Sequence, residues 1–331
     1  MKSNCAVVRV HLADRSYNIR IGTEFSFIRC LSNSNAVLLV SDSNVFPIYG
    51  ELVARKLSES GYVVHKSVIP AGEQSKSFKM LKKLCHQAAK AGLDRKSIVV
   101  ALGGGMIGDL AGFLAAIYLR GLRIIQVPTS LLAMVDSSVG GKTAIDIPEG
   151  KNLVGAFHQP SEVVINTETL KTLPRREYIS GIAEVIKYGI IKDPQLFAFV
   201  ERNKLAILQK NKAVLKKIIS RSCEIKAEIV GADEKESGIR QILNFGHTFG
   251  HVVESIGNYK RWLHGEGVAI GMVFALELSV LQGMTDLQTL TRVKTVLKKF
   301  ELPVGLNKIC LLYTSDAADD LLCVDLGGRR I

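Results

Sequence analysis

The sequence has 331 residues, 47% hydrophobic and 22% charged, with 29 glycines, 8 prolines and one tryptophan, Trp262. That length exceeds what one core serves efficiently, which excludes a small disulfide scaffold and predicts two domains sharing a cleft. Forty-three Lys and Arg against 31 Asp and Glu give a net charge of +12, which suits nucleic acid, an anionic membrane surface or a small polyanionic substrate.

At the N-terminus, Arg9 and His11 interrupt the only apolar run, and the Ser and Arg richness of a transit sequence is missing, so a cytoplasmic location is expected. The six cysteines, Cys5, Cys30, Cys85, Cys223, Cys310 and Cys323, are scattered without a Cys-x-x-Cys pair and are expected to be reduced thiols. Apolar runs at residues 36–40, 62–69, 97–102 and 122–127 read as strands, with helix-like periods between several of them. This alternation predicts an α/β dinucleotide-binding domain with a parallel sheet over residues 1–174, where ligands settle at the carboxyl ends of strands. Residues 98–119 are apolar enough to mimic a membrane span, but they hold five glycines and Asp109, and a central carboxylate costs about 2.5–3.5 kcal/mol on insertion scales. A strand, a glycine turn and a helix are the better parse, and no membrane partner is expected. After Leu173-Pro174 long 3.6-residue periods replace the β-branched runs, which predicts an all-α domain over residues 175–308. The basic run at residues 204–217 reads as a solvated helix face.

Gly103, Gly104, Gly105 and Gly108 satisfy G-x-G-x-x-G between a strand and a helix, where backbone N–H groups can hold a diphosphate. The acidic residue that ordinarily follows some twenty positions later is missing; Asp42, ending the strand AVLLVSD, offers a ribose ligand in its place. Residues 137–143, SSVGGKT, end like a P-loop but lack its leading glycine. If residues 238–256 form one helix, Arg240, Asn244, His247, His251 and Glu254 fall within an arc of about 80°, on a helix otherwise apolar. A polar stripe on a buried helix must be satisfied by ligand, metal or protein. Glu184 lies on another apolar segment, YISGIAEVIKYGII, with Lys187 three residues on; a buried carboxylate there needs a cation, either zinc or Lys187 itself. With His264 as a further candidate, one Glu and two His make a three-ligand set that leaves catalytic positions open. Arg120, Lys142, Lys151, Lys187, Lys226 and Arg240 stand beside Gly, Asn or apolar positions, which describes a cup for phosphate or carboxylate groups.

Several ordered blocks, PAGEQSKS at 70–77, GGGMIGDLAGF at 103–113, QVPTSLLAMVDSSVGGKTAID at 126–146, then GKNLVGAFHQP, GIAEVIKYGII, LNFGHTFGHVVE and HGEGVAIGM, carry a family resemblance. Over nearly all of residues 1–308 the chain resembles the 3-dehydroquinate synthase family. The resemblance implies a homodimer with an NAD-binding α/β domain and a helical metal-binding domain. It implies conversion of 3-deoxy-D-arabino-heptulosonate 7-phosphate (DAHP) to 3-dehydroquinate and phosphate, in the shikimate pathway leading to chorismate and aromatic amino acids. The steps are oxidation of a secondary hydroxyl by NAD, elimination of phosphate, return of the hydride and aldol closure of the opened ring.

Position by position, the resemblance implies Glu184, His247 and His264 as ligands of Zn2+, with Co2+ the alternative ion. His251, Lys187, Asn244 and Lys142 are then the catalytic groups, with Lys187 and Asn244 orienting the substrate and His251 beside its phosphate-bearing part. Lys142, Asn152, Arg240 and Lys226 resemble carboxylate and phosphate ligands, and Arg120 resembles a residue lent by the second subunit. Asp136, Lys142 and Lys151 stand where cofactor and substrate meet, with Asp42, Glu73, Lys76, Gly104, Gly105, Asp109, Thr129, Ser130 and Thr172 on the cofactor. After Lys308 the sequence ICLLYTSDAADDLLCVDLGGRRI lacks the family's Asp-Lys-Lys helix, so residues 309–331 are expected to be foreign to the fold. Two other enzymes remain as alternatives: a cyclase of the same superfamily acting on sedoheptulose 7-phosphate, and a metal-dependent alcohol or polyol dehydrogenase. Nucleic-acid binding has no motif behind it beyond the charge.

Overall fold

The computed structural model describes residues 5–27, 36–257 and 261–306; Cys30 and residues 307–331, which include the segment expected to be foreign, lie outside them. Strands β1 (Ala6–Val10), β2 (Tyr17–Gly22) and β3 (Ala36–Asp42) lead into helix α1 (Glu51–Glu59), and β4 (Val63–Ile69), α2 (Phe78–Lys90), β5 (Ile98–Gly103) and α3 (Gly105–Ile117) follow. Next come β6 (Arg123–Pro128), the hairpin of β7 (Lys142–Ile147) and β8 (Gly150–Phe157), and β9 (Glu162–Asn166). From there on the described chain is helical: α4 (Arg175–Ile191), α5 (Pro194–Arg202), α6 (Lys204–Leu208), α7 (Lys212–Ala232), α8 (His247–Ile256), α9 (His264–Leu281) and α10 (Leu287–Lys299).

Seven strands form one sheet in the order β1-β2-β9-β6-β5-β3-β4, parallel except for β1 against β2. Helices cover both faces, so a central strand can be apolar throughout, and every residue of β5 (IVVALG) is buried. The four expected strands form with bounds shifted by one or two residues; the β1–β2 and β7–β8 pairs and β9 were not foreseen. After β3 the chain turns outward to β4 and then returns to place β5 on the other side of β3. That reversal creates a crevice at the carboxyl ends of β3 and β5, bracketed by Asp42 and Gly103. Side chains cap several helices: Ser77 on α2, Asp193 on α5 beside Pro194, Asn211 on α7 and Asp286 on α10 each accept backbone N–H bonds.

One apolar core lies between β3, β5 and α1, and a second packs the same strands against α2 and α3. The third joins β1, β2 and β9 to α4, α7, α9 and α10, so the helical part is built directly onto the sheet edge. Among the described residues only α9 is long and apolar enough to cross a membrane, and half of it is buried against its neighbours. The apolar run at 98–119 is divided between β5 and α3. Cys5, Cys85 and Cys223 are free thiols.

The single helix expected over residues 238–256 does not form. Residues Ile239–Asn244 make a 3-10 turn, Gly246 adopts φ 80° in the left-handed region, and α8 starts afresh at His247. The break follows from close packing: α8 lies so near α9 that a methyl on Gly271 would land on the Gly246 carbonyl oxygen. Gly265 at the start of α9 approaches the Ser180 carbonyl of α4 in the same way. Gly271→Ala is therefore expected to destabilise the protein by about 1–3 kcal/mol or more through overpacking, read as a lower urea midpoint; unchanged stability would contradict the close approach.

Candidate active site

The cofactor side lies at the carboxyl ends of the parallel strands. Asp42 closes β3, and its Oδ1 accepts the backbone N–H groups of Asn44 (2.8 Å) and Val45 (3.0 Å). Gly104 precedes α3, and a methyl on Gly105 would sit 3.0 Å from Ser137 Oγ, so glycine keeps the backbone open at the helix start. Thr129 and Ser130 follow β6, and Thr172 after β9 shares a 2.7 Å hydrogen bond with the Tyr49 hydroxyl. Beside them the buried Lys76 ammonium donates to Asp109 Oδ2 (2.6 Å) and to Asn152 Oδ1, with Glu73 and Asp146 at 3.7 and 3.9 Å. Lys151 faces Glu73 at 3.7 Å. Burial opposes the Lys76 charge, but Asp109 and Glu73 outweigh it and raise its pKa. For Asp109 burial wins over Lys76, and the carboxyl is pushed up to about 6.

On the helical side, Glu184 of α4 is fully buried, and its Oε1 lies 3.7 Å from His247 Nε2 of α8 and 3.6 Å from His264 Nε2 of α9. Those separations are too long for hydrogen bonds, and neither carboxylate oxygen accepts a well-aligned one. Lys187, one helical turn on, pairs with Oε2. The donor atoms of Glu184, His247 and His264 lie within 4.8 Å of one another, the spacing of a metal-ligand group. His264 donates Nδ1–H to Glu254 Oε1 (2.9 Å), which turns its Nε2 toward Glu184. Burial would raise the Glu184 carboxyl, yet Lys187 and His264 hold it down to about 2. Burial and Lys187 depress His247 to about 4, whereas His264, despite burial, is raised to about 10 by Glu184 and Glu254. Lys187 is the cation paired directly with the buried carboxylate. The His251 ring centroid is 5.6 Å from that of His247, and burial lowers its pKa.

Between the two sides stands Asp136, in the helical turn Ala133–Ser137. Its Oδ1 accepts from Lys226 Nζ (2.7 Å) and from the Tyr188 hydroxyl (2.6 Å), and Lys226 also reaches its backbone carbonyl at 2.8 Å. Lys142 is paired with Glu236, which also accepts from Asn244 Nδ2 at 3.0 Å. The structure departs from expectation at Arg240. Arg240 is not on the helix of His247 and His251; it is buried, and its guanidinium donates to the carbonyls of Gly140 (3.0 Å) and Glu234. Asn152 sits with Lys76 on the cofactor side. Arg120 is exposed, and no hydrogen bond or ion pair joins it to the cluster among the described residues. Glu236 and Tyr188 were missed. Glu236 lies in an acidic loop with φ 61°, and Tyr188 directly follows Lys187, yet neither spacing nor periodicity marks them.

Residues 66–180 match the family model for 3-dehydroquinate synthase N-terminal, and residues 181–320 match that for 3-dehydroquinate synthase C-terminal. The chain belongs to the 3-dehydroquinate synthase family. Within that family it is 49% identical to the 3-dehydroquinate synthase of Geobacter metallireducens, over 97% of this chain and 89% of the relative. Its fold is similar to that of 2-epi-5-epi-valiolone synthase from Streptomyces hygroscopicus, solved with NAD+ and Zn2+ (TM-score 0.80, 29% identity, 91% of this chain and 83% of that one). It is also similar to 2-deoxy-scyllo-inosose synthase solved with carbaglucose-6-phosphate, NAD+ and Co2+ (TM-score 0.79, 26% identity, 94% and 85%).

The Asp109 shift gives this member of the 3-dehydroquinate synthase family a pH signature. An unfolded Asp titrates at about 3.9, so between there and about 6 the folded protein keeps a proton that the unfolded chain has lost. The contribution to stability is complete below the lower value and is lost as pH rises through the upper one. Urea midpoints across this interval should fall less steeply with pH in Asp109→Asn than in the parent; equal slopes would contradict the shift.

Proposed function

We propose that the chain converts DAHP to 3-dehydroquinate and inorganic phosphate, a carbon–oxygen lyase reaction of the shikimate pathway, in a homodimer. The observation that carries this reading is the buried Glu184–His247–His264 group, set among Lys187, Lys226 and Asp136 and built onto a sheet whose crevice suits a dinucleotide. The donor set fits a divalent cation, because Glu184 Oε1 is buried, accepts no hydrogen bond and faces two imidazole nitrogens. A Zn2+ or Co2+ ion held there would supply Lewis acidity and lower the pKa of a substrate hydroxyl. The glycines at 104 and 105 fit a dinucleotide phosphate, and NAD bound there would supply a reversible hydride acceptor. Oxidation comes before elimination for a chemical reason: a ketone acidifies the neighbouring C–H and makes the carbanion accessible.

In this reading residues 1–174 hold the cofactor and residues 175–308 hold the metal and substrate. Asp42, Glu73, Lys76, Asp109, Thr129, Ser130 and Thr172 line the dinucleotide. Lys187 and Asn244 orient the reacting hydroxyls, and Glu254 fixes the tautomer of His264. His251 stands beside the leaving phosphate, where an imidazole can pass a proton. Lys142, Lys226, Arg240 and Asn152 are the anion ligands, with Asp136 and Lys151 between cofactor and substrate; Lys142 and Asn244 reach substrate once Glu236 releases them. Arg120 serves the site of a second copy. Support for this comes from its exposure, from positive φ at Leu119 (51°) and Arg120 (69°), and from exposed Ile117 and Leu119 alongside.

With NAD+ and Zn2+ present, DAHP should yield phosphate and 3-dehydroquinate in equal amounts without accumulation of NADH. His247→Ala should lose more than about 100-fold in rate while keeping its circular dichroism, since even removal of an outer-shell partner of a metal ligand costs about 10- to 100-fold. A cyclitol from sedoheptulose 7-phosphate and no product from DAHP would establish the related cyclase. NADH accumulation without phosphate release would establish a dehydrogenase.

A further inference from the structure

Tyr188 has no part in the assignments above, yet its hydroxyl lies at the point where the helical side meets the cofactor side. It belongs to α4, four residues after Glu184 and next to Lys187, so the three side chains share one face of that helix. Its ring is fully buried, with the Lys187 ammonium 5.3 Å from the centroid. Its hydroxyl donates to Asp136 Oδ1 at 2.6 Å, the same oxygen that takes Lys226 Nζ at 2.7 Å. Both strong donors therefore go to one carboxylate oxygen. Oδ2 accepts no hydrogen bond among the described residues, and the Asp136 side chain keeps 21% of its surface exposed.

Two donors on one oxygen define the torsion of a carboxylate, because rotation about its last bond must break at least one of them. One donor does so less tightly, since Lys226 Nζ divides its hydrogen bonds between Oδ1 and the Asp136 backbone carbonyl (2.8 Å) on a stem with several rotatable bonds. The phenol, on a ring fixed by packing, is the rigid member of the pair. We propose that Tyr188 is a positioning residue that fixes the Asp136 carboxylate so that Oδ2 is presented to the reacting centre between cofactor and substrate. The proposal rests on the DAHP reading for its kinetic consequence, though not for its geometric one. It also gives α4 a second role, because the helix that carries the carboxylate of the metal-type cluster sets the acceptor on the opposite side of the cleft. About one turn of a rigid element then links the two.

Tyr188→Phe keeps the ring and its packing and removes only the hydroxyl. A crystal structure of this variant should show Asp136 turned about its side-chain torsions, with Oδ1 displaced from its present place. Steady-state phosphate release from DAHP should show kcat reduced about 10- to 100-fold, the scale of a hydrogen bond to a charged group, with KM within about twofold and the melting temperature little changed. An unmoved Asp136, a kcat loss below about threefold, a loss confined to KM, or a loss matched by collapse of stability would each overturn the proposal. Should the parent protein fail to release phosphate from DAHP, the functional reading fails on that result, while the position of Asp136 in the variant still decides the role of Tyr188.

Discussion

A carboxylate that no solvent reaches must find its counter-charge inside the protein, and Glu184 imposes that requirement on everything around it. Its partners come from three helices: Lys187 from its own α4, His247 from the first turn of α8 and His264 from the first residue of α9. Bringing three helix backbones near enough for these side chains to meet leaves no room for Cβ atoms at the crossings. Gly265 against Ser180 and Gly271 against Gly246 are the places where that constraint becomes sequence. The same constraint breaks the segment before α8, since only a left-handed Gly246 admits both the close crossing and the placement of His247 at a helix start.

The net charge of +12 has two origins in the structure. Much of it is ordinary solvated surface, such as Lys212 and Lys217 on α7. The informative part is buried: Lys76, Lys187, Lys226 and Arg240 are all nearly inaccessible, and each faces a carboxylate or a carbonyl. Four buried cations in one region are costly as structural devices when apolar residues of similar size would serve. They suit a site that receives anionic groups, with Asp109, Glu184 and Asp136 facing the three lysines meanwhile and the carbonyls of Gly140 and Glu234 facing Arg240.

Legibility in the sequence divided along a physical line. Periodicity exposed the parallel strands and the helical half, because burial on one or both faces writes itself into residue order. Glu184 with Lys187 was readable for the same reason, as two charges three residues apart on an apolar helix. His247 and His264 stood out by type and by resemblance, and their meeting with Glu184 needed three dimensions. The stripe over residues 238–256 failed because helical geometry was extrapolated through Gly246, whose φ is decided by contact with α9 and by nothing local. Tyr188 and Asp136 are fifty-two positions apart, and Glu236 lies ninety-four after Lys142, so no window of sequence could pair them.

The central claim is that the buried carboxylate exists to hold a divalent cation together with two imidazoles. X-ray absorption at the zinc edge of the zinc-loaded protein reads this directly. The account predicts a shell of nitrogen and oxygen donors with two imidazole scattering patterns, no sulfur, and loss of the ordered shell in Glu184→Gln. A shell containing thiolate sulfur, or one unaltered by Glu184→Gln, would contradict it.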